Sequence, residues 1–549
     1  MYLLQRGSCL VKRLGRKARP SSPLSNDYDP LQHSAMSKGE PSEFTLAPTL
    51  ADTFFDLDTL LALKLKARGA WSLTQAYYDS FDWRLHRARL AHVVEYPPAK
   101  LSYATAPLVP ADWPEQLAAG DCPPSLADVV GIRSLLRQVT LSGERREWLW
   151  EEAEGAVRVQ LDLLMISPPG DPSVLAPRLR LLSDPGFRKQ ARQLAARMAE
   201  RFTLYPARES ALEEALRLSG RLAENPSAPI AVTIEPELRA DLALRRILMA
   251  LLGVLKANTA GVLVATDTEY LHDYRIAVRR SRSVLGQLHG VFPQRQEQRY
   301  TRNFARLAAA TSEARDLDVH LLALTSLESG LPAALRGQFG PLRELLQARA
   351  VRAHAALNRR LRSTAHSQFM KGLENYLATP APHRPSAIHA RDPVQSLASR
   401  RIWTVYRRTL KQGAAISDDS PASALHDLRK TAKKLRYLMD AFRSLYPAEK
   451  LEPLLKSLKK LQNLLGDYQD TGVMLAHLYR SAEPLRESAA PTPTLLALGA
   501  LLGQLHRRED KLRKAFAECF HGYSKRSQRR KFRHLFGPVG HHGAEKGAD

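Results

Sequence analysis

The stretch His272-Asp273-Tyr274-Arg275-Ile276-Ala277-Val278-Arg279-Arg280-Ser281-Arg282 decides how the chain is read. Wound as a helix, it sets His272, Arg275, Arg279 and Arg282 at about 0°, 300°, 340° and 280° around the axis. Leu271, Tyr274, Val278, Leu285 and Leu288 fall between about 160° and 260°, on the other side. One face is built for burial and the other is a row of cations.

The same pattern returns as His426-Asp427-Leu428-Arg429-Lys430-Thr431-Ala432-Lys433-Lys434-Leu435-Arg436. Here His426, Arg429, Lys433 and Arg436 share a stripe, opposite Leu425, Leu428, Leu435, Met439 and Phe442. The offset of 154 residues persists without a gap over about fifty residues, so this is an internal repeat. Phe292-Pro293 matches Tyr446-Pro447, Arg302 and Arg306 match Lys456 and Lys460, and Asp316 matches Asp470. Upstream the offset is 155, with Arg245-Arg246-Ile247 on Arg400-Arg401-Ile402. One residue has been gained or lost in the loop before a histidine. After residue 235 no strand signal competes with the helical periodicity, and repeated helices on short loops favour helical bundles. A pseudo-twofold between two such bundles would set the two cationic helices face to face.

The rest of the chain is of another kind. Residues 1–43 are basic and rich in Ser and Pro, without periodicity, and read as a disordered segment. Met36 is an alternative start. Residues 44–222 mix strand and helix signals: Val157 to Leu163 alternates as a half-buried strand, and Phe187 to Phe202 reads as a helix. Residues 223–234 form a linker, and 235–520 the all-helical region in halves of about 235–378 and 394–520. Residues 521–549 read as a basic flexible tail. The predicted class is α+β multidomain.

Composition narrows the partners. Among 549 residues, 81 Lys and Arg oppose 56 Asp and Glu, a net charge of +25. So basic a protein favours a polyanionic partner, without choosing between nucleic acid, acidic lipid and a phosphate polymer. The three cysteines, Cys9, Cys122 and Cys519, are far apart and lack metal-ligand spacing, which suits a reducing cytoplasm. No unbroken apolar run approaches about 18 residues, so no membrane span is expected, and the N-terminus lacks the apolar core of a secretory signal.

The doubled His-x-x-Arg motif, followed by paired cations and a further Arg, resembles the CHAD domain. The resemblance covers about 235–520. It implies two four-helix bundles around a basic cavity that binds inorganic polyphosphate, with the motif positions on His272, Arg275, Arg279, Arg280, Arg282, His426, Arg429, Lys433, Lys434 and Arg436. The chemistry agrees: a phosphate chain offers only oxygen acceptors, and needs dense donors of the Arg and Lys kind. Arg302, Arg306, Lys456 and Lys460, at helical spacing in the following helix, are candidates for a second wall. The histidines read as helix-start hydrogen bonders or phosphate donors rather than metal ligands, and Asp316 and Asp470 as turn or capping residues. The implied function is noncatalytic, with no cofactor and no metal, in a cytoplasmic protein targeted to polyphosphate granules.

Residues 44–222 resemble a CYTH domain, the triphosphate-tunnel fold, on Tyr77-Tyr78-Asp79-Ser80 and Arg84-Leu85-His86-Arg87-Ala88-Arg89-Leu90-Ala91. Members of that family hold a divalent metal on strand carboxylates, because the metal demands oxygen ligands and must bridge phosphates. Here the N-terminal Glu-x-Glu-x-Lys signature is reduced to Glu43-Phe44-Thr45-Leu46. The Leu-Arg-x-Arg element appears as His92-Val93-Val94-Glu95. Arg178-Leu179-Arg180-Leu181 stands where two acids belong. A CYTH-like domain without those ligands is expected to be inactive. The alternatives are a triphosphatase or adenylate cyclase acting through this domain, and nonspecific nucleic-acid binding. Base-stacking aromatics are missing from the stripe, since Tyr274 and Phe442 lie on the apolar side.

Overall fold

A computed structural model describes residues 9–13, 43–47, 57–96, 116–117, 124–166, 173–221, 223, 232–487 and 491–538. The chain divides into two compact units, Met1–Asn225 and Pro226–Asp549.

The first unit is a curled antiparallel sheet with short helices. Its elements run β1 (Cys9–Arg13), β2 (Glu43–Thr45), α1 (Leu57–Leu63), β3 (Leu65–Ser80), α2 (Arg84–Arg87) and β4 (Leu90–Tyr96). There follow β5 (Gln116–Leu117), α3 (Pro124–Val130), β6 (Leu135–Trp150), β7 (Val157–Ile166), β8 (Arg178–Ser183), α4 (Arg188–Arg201), β9 (Tyr205–Pro206) and α5 (Ala211–Leu218). The strand order is β1-β4-β3-β6-β7-β8-β2-β9, with β5 also on β6. Its spine is β3 against β6, paired along their length with register shifts at Ala67/Gly69 and Tyr77/Tyr78. Such shifts raise local twist and let a long strand pair curl. At Gly143 of β6, a Cβ would lie 1.8 Å from the Leu163 carbonyl oxygen on β7, so only glycine permits that approach.

The period-two alternation of β7 and β8 sorts their side chains. Val157, Val159, Leu161, Leu179 and Leu181 pack on α1 and α4 with Trp148 and Trp150. The opposite face carries Arg145, Glu147, Gln160, Asp162, Arg178 and Arg180, all buried. The predicted helix 187–202 is α4 with its two flanking phenylalanines. The predicted strand is β7, though both of its faces are buried rather than one. The sheet is compatible with a CYTH-like domain. One expectation is corrected: Cys9–Arg13, within the segment read as disordered, is a strand on β4. A five-residue edge strand is ordered by its partner's backbone, which no local pattern reports. Residues 1–8 and 14–42 lie outside the described residues.

The second unit is all helical: α6 (Ala240–Val264), α7 (Thr268–Gln287), α8 (Gln294–Ala310), α9 (Ser312–Ser329), α10 (Gly340–Leu361) and α11 (Thr364–Ala378) form the first half. The second half is α12 (Val394–Ala414), α13 (Ala422–Ala441), α14 (Ala448–Glu487), α15 (Thr492–Ser524) and α16 (Arg526–Phe536). Asp267 caps α7, accepting from the Glu269 and Tyr270 amides. The apolar stripes are core: Leu271, Tyr274, Val278 and Leu285, and Leu425, Leu428, Leu435, Met439 and Phe442, are all buried. Helix α6 is long and apolar enough to cross a membrane by length and composition alone. Here it is a core helix, and it carries Arg245 with its guanidinium donating to the Thr379 carbonyl at 2.9 Å and lying 4.6 Å from the Tyr376 ring.

Contacts between the halves recur with the halves exchanged. The starts of α6 and α12 clasp each other through Ala240 N–H to Asp392 C=O at 3.0 Å and Val394 N–H to Leu238 C=O at 2.9 Å. The Ile234 amide donates to Ser444 Oγ, and the His389 amide, one repeat later, to the Gly290 carbonyl. Helices α7 and α13 pack directly against one another.

The expected flexible tail is corrected as well. Helix α15 continues to Ser524 and α16 follows, with Phe532 and Phe536 buried and Phe532 stacked on Tyr406 at 3.8 Å between centroids. Two phenylalanines four apart make an apolar stripe, and the cations that drew attention fill the other side. At Gly413 a Cβ would meet the Phe520 ring at 2.0 Å, so this glycine seats α15 against α12. Residues 539–549 lie outside the described residues.

Candidate functional site

Helices α7 and α13 bring the two cationic stripes together. Arg275, Arg279, Arg280, Arg429, Lys433 and Arg436 are half-buried, while Arg282 and Lys434 are exposed. Burial, then the charges of Arg429, Arg279 and Arg275, push the Lys433 ammonium down to about 8, against a small opposing pull from Asp470. Arg275 is lowered to about 10, chiefly by burial and then by Arg279. Lys434 is lowered too, by burial and then by Arg408 and Arg282. A lowered cation is one held against its preference, in a site short of negative charge. The Nε atoms of Arg275, Arg279, Arg280 and Arg429 are buried without a hydrogen-bond partner. Unmet donors on buried guanidinium groups are costly, and an anion would relieve them.

The repeat partners are held differently. Arg429 Nη2 donates to Asp470 Oδ1 at 3.0 Å. Arg275 Nη1 donates instead to Thr311 Oγ1 at 2.9 Å and Ser312 Oγ at 3.2 Å. Thr311 and Ser312 bond back to the Leu307 and Ala308 carbonyls, where α8 breaks from α9. Back-bonding of this kind bends helices. At the corresponding positions Leu465 and Gly466 lack hydroxyls, and α14 runs unbroken.

Asp316 and Asp470 are corrected from turn or capping residues to side chains within α9 and α14. Burial is the main reason the Asp316 carboxyl is raised, with the Asp470 charge from the other half adding to it against the pull of Arg275. His426 is the fifth residue of α13 and its Nδ1 pairs with Gln469 Oε1. His272 is the fifth residue of α7 and half-buried. Of the candidates for a second wall, Arg302, Arg306, Lys456 and Lys460 are exposed, Arg302 Nε donates to the Gln298 carbonyl, and Lys460 lies beside Cys519 of α15.

Two members were missed by motif reading. Arg436 Nη1 donates to Gln462 Oε1 at 3.4 Å, and Gln462 Nε2 donates to the Ala432 carbonyl. Asp440, one turn beyond Arg436, lies 3.5 Å from its Nε. Its place on the cationic face at i+4 was a signal available in the sequence.

In the first unit, the charged sheet face pairs with itself. Arg145 donates to Asp162 at 2.6 and 2.8 Å and to Glu95 at 3.1 Å, and Arg180 also reaches Asp162. Arg178 holds Glu43 at 3.0 Å and Glu214. The carboxylates Glu43, Glu95 and Asp162 are therefore engaged by arginines.

Residues 246–479 match the family model of the CHAD domain, and the second unit contains that domain. The match is narrower than the expected 235–520. Two uncharacterized proteins of Mycobacterium tuberculosis, from strains CDC 1551 / Oshkosh and H37Rv, are 27% identical over 217 residues, 39% of this chain. The chain spans 40% of the length of these curated relatives. Among solved structures, the CHAD domain from the plant Ricinus communis is 26% identical, with a TM-score of 0.44, covering 53% of this chain and 94% of that one. PptA from Streptomyces chartreusis is 18% identical, with a TM-score of 0.42, covering 52% and 100%.

Proposed function

We propose that the helical unit binds inorganic polyphosphate without catalysing a reaction, in the seat where α7 and α13 meet. The observation that supports this most directly is the set of half-buried cations from both halves whose guanidinium Nε atoms lack partners. A linear anion with acceptors on every unit suits a row at i, i+4 and i+7 on α13, with Arg275 and Arg279 opposite. Binding would offset the burial and the like-charge repulsion that lower Lys433 and Arg275, and so would stabilise the fold. The first unit takes no part in chemistry under this proposal, because its carboxylates are spent on Arg145, Arg178 and Arg180. A cytoplasmic location at polyphosphate granules follows from such binding.

The test is titration of the full chain with long-chain polyphosphate, using duplex DNA and RNA as competitors. At about 150 mM salt the screening length is about 8 Å and diffuse attraction is weak. Polyphosphate should win by at least an order of magnitude. Changing Arg279, Arg282, Lys433 and Arg436 together to Ala should remove that binding and leave helicity unchanged. Retained affinity would place the site elsewhere. Metal-dependent release of phosphate from a triphosphate would favour an enzyme instead.

A further inference from the structure

At one end of the cation row a cavity of about 440 Å³ opens between α6, α7 and α13. Its walls are apolar: Ile247 and Leu251 of α6, Val284 of α7, and Ala441 and the Tyr437 side chain of α13. Its polar lining is Arg280, Arg436, Arg443 and Asp440. The segment Val232–Thr233 forms another wall, fixed by Ser444, whose hydroxyl donates to the Val232 carbonyl at 3.0 Å and accepts from the Ile234 amide at 3.1 Å.

Two features set this cavity apart from a plain phosphate seat. The first is Asp440. A carboxylate among cations repels a phosphate chain, yet this one is kept, half-buried and raised by burial against the pull of Arg436, Arg280 and Arg443. It suits a ligand that brings N–H or O–H donors of its own.

The second is an asymmetry in the repeat. The cation pair Arg280 and Arg436 has a counterpart at the other end of the row, Lys434 and Arg282, with the halves exchanged. The duplication therefore repeated the charges. It did not repeat the rest: Tyr437, Asp440 and Ala441 correspond to Ser283, Gly286 and Gln287. At these three positions the aromatic ring and the carboxylate stand on α13 alone, beside the apolar hollow.

We propose that this cavity receives the base and sugar of a nucleoside polyphosphate, whose phosphate tail runs back over Arg436, Lys433 and Arg429. The aromatic ring and apolar walls take the base, Asp440 accepts from its amino group or from a ribose hydroxyl, and Arg280 and Arg436 meet the first phosphates. From Arg429 to Arg436 the row rises about 10 Å, room for a short chain of linked phosphates. The proposal rests on the polyphosphate reading for the tail, while the cavity is its own.

Calorimetric titration of the full chain without metal, using ATP, AMP, adenosine and tripolyphosphate, tests it. ATP should bind at least tenfold tighter than both tripolyphosphate and AMP, and long-chain polyphosphate should displace it. Ala441→Trp, which fills the cavity, should weaken ATP at least tenfold and leave long-chain polyphosphate within twofold. Asp440→Leu is the second variant, expected to abolish the preference for ATP over tripolyphosphate, with circular dichroism reporting the fold of each. Lys433→Ala should weaken both ligands. ATP bound no tighter than tripolyphosphate, or unaffected by both cavity variants, overturns the proposal. Polyphosphate binding without a nucleotide preference would sink this inference alone, whereas nucleotide binding that polyphosphate cannot displace would sink the broader function and, with it, the placement of the tail here.

Discussion

Arg429 and Asp470 are joined across α13 and α14 at 3.0 Å, while Arg275, the repeat counterpart of Arg429, is held by the hydroxyls of Thr311 and Ser312. The duplicated cation is thus restrained by a carboxylate in one half and by neutral groups in the other. Asp470 is 68% exposed and competes with any incoming phosphate for Arg429. Asp470→Asn should tighten polyphosphate by about two- to fivefold, the range of an exposed ion pair. Titration at fixed salt reads this directly, and an unchanged affinity would mean Arg429 is not used.

Lys433 sets a pH dependence. Its folded value is about 8 against an ordinary 10.5. Below pH 8 it is charged whether the chain is folded or not, and the full penalty of that buried charge is present. As pH climbs from about 8 towards 10.5 the folded chain loses this proton first, so the ligand-free protein gains stability over that window. Polyphosphate favours the charged form, so affinity should be level below pH 8 and decline above it. In Lys433→Arg the decline should move to higher pH. Binding curves at pH 7, 8 and 9 would show it.

The end of the chain is part of the core. Phe532→Ala removes a ring stacked on Tyr406 and should cost about 3–5 kcal/mol, as large core truncations do. Exchange of Arg530 for Ala, on the exposed side of α16, should cost under about 0.5 kcal/mol. Urea denaturation of the two variants makes the comparison.

In the sheet, Arg145 neutralises Asp162 and Glu95 together. Arg145→Ala removes the guanidinium shared by buried Asp162 and partly buried Glu95, and a loss of about 3–5 kcal/mol is expected. Thermal melts of Arg145→Ala beside the unaltered chain would show the loss.

Much of the helical unit was legible because its signals are local and doubled. The 3.6-residue stripe gave α7 and α13, and the constant offset gave their common origin. The facing of those helices is what a pseudo-twofold between two repeated bundles would give. What escaped notice depends on partners distant in sequence. The break at Thr311 reflects back-bonding hydroxyls, which differ from Leu465 and Gly466 without disturbing the apolar pattern. Strand β1 is ordered by β4, and α16 by Tyr406, neither of which its own residues announce. On the sheet, Arg178 and Arg180 were read as substitutes for missing acids, and their pairing with Glu43 and Asp162 needed the fold. Spacing likewise groups Arg302 with Arg306 on one face of α8 without showing what that face meets.

The backbone clasp between the starts of α6 and α12 has an ancestral meaning. Each half supplies amides and carbonyls that the other completes, so a single half released from its sister would present that edge unsatisfied. Two identical halves could satisfy it for each other, which makes a self-associating single-copy precursor the natural forerunner of this fused chain. Within the joined chain the two halves differ where Tyr437 and Asp440 correspond to Ser283 and Gly286, which two separate identical copies could not do.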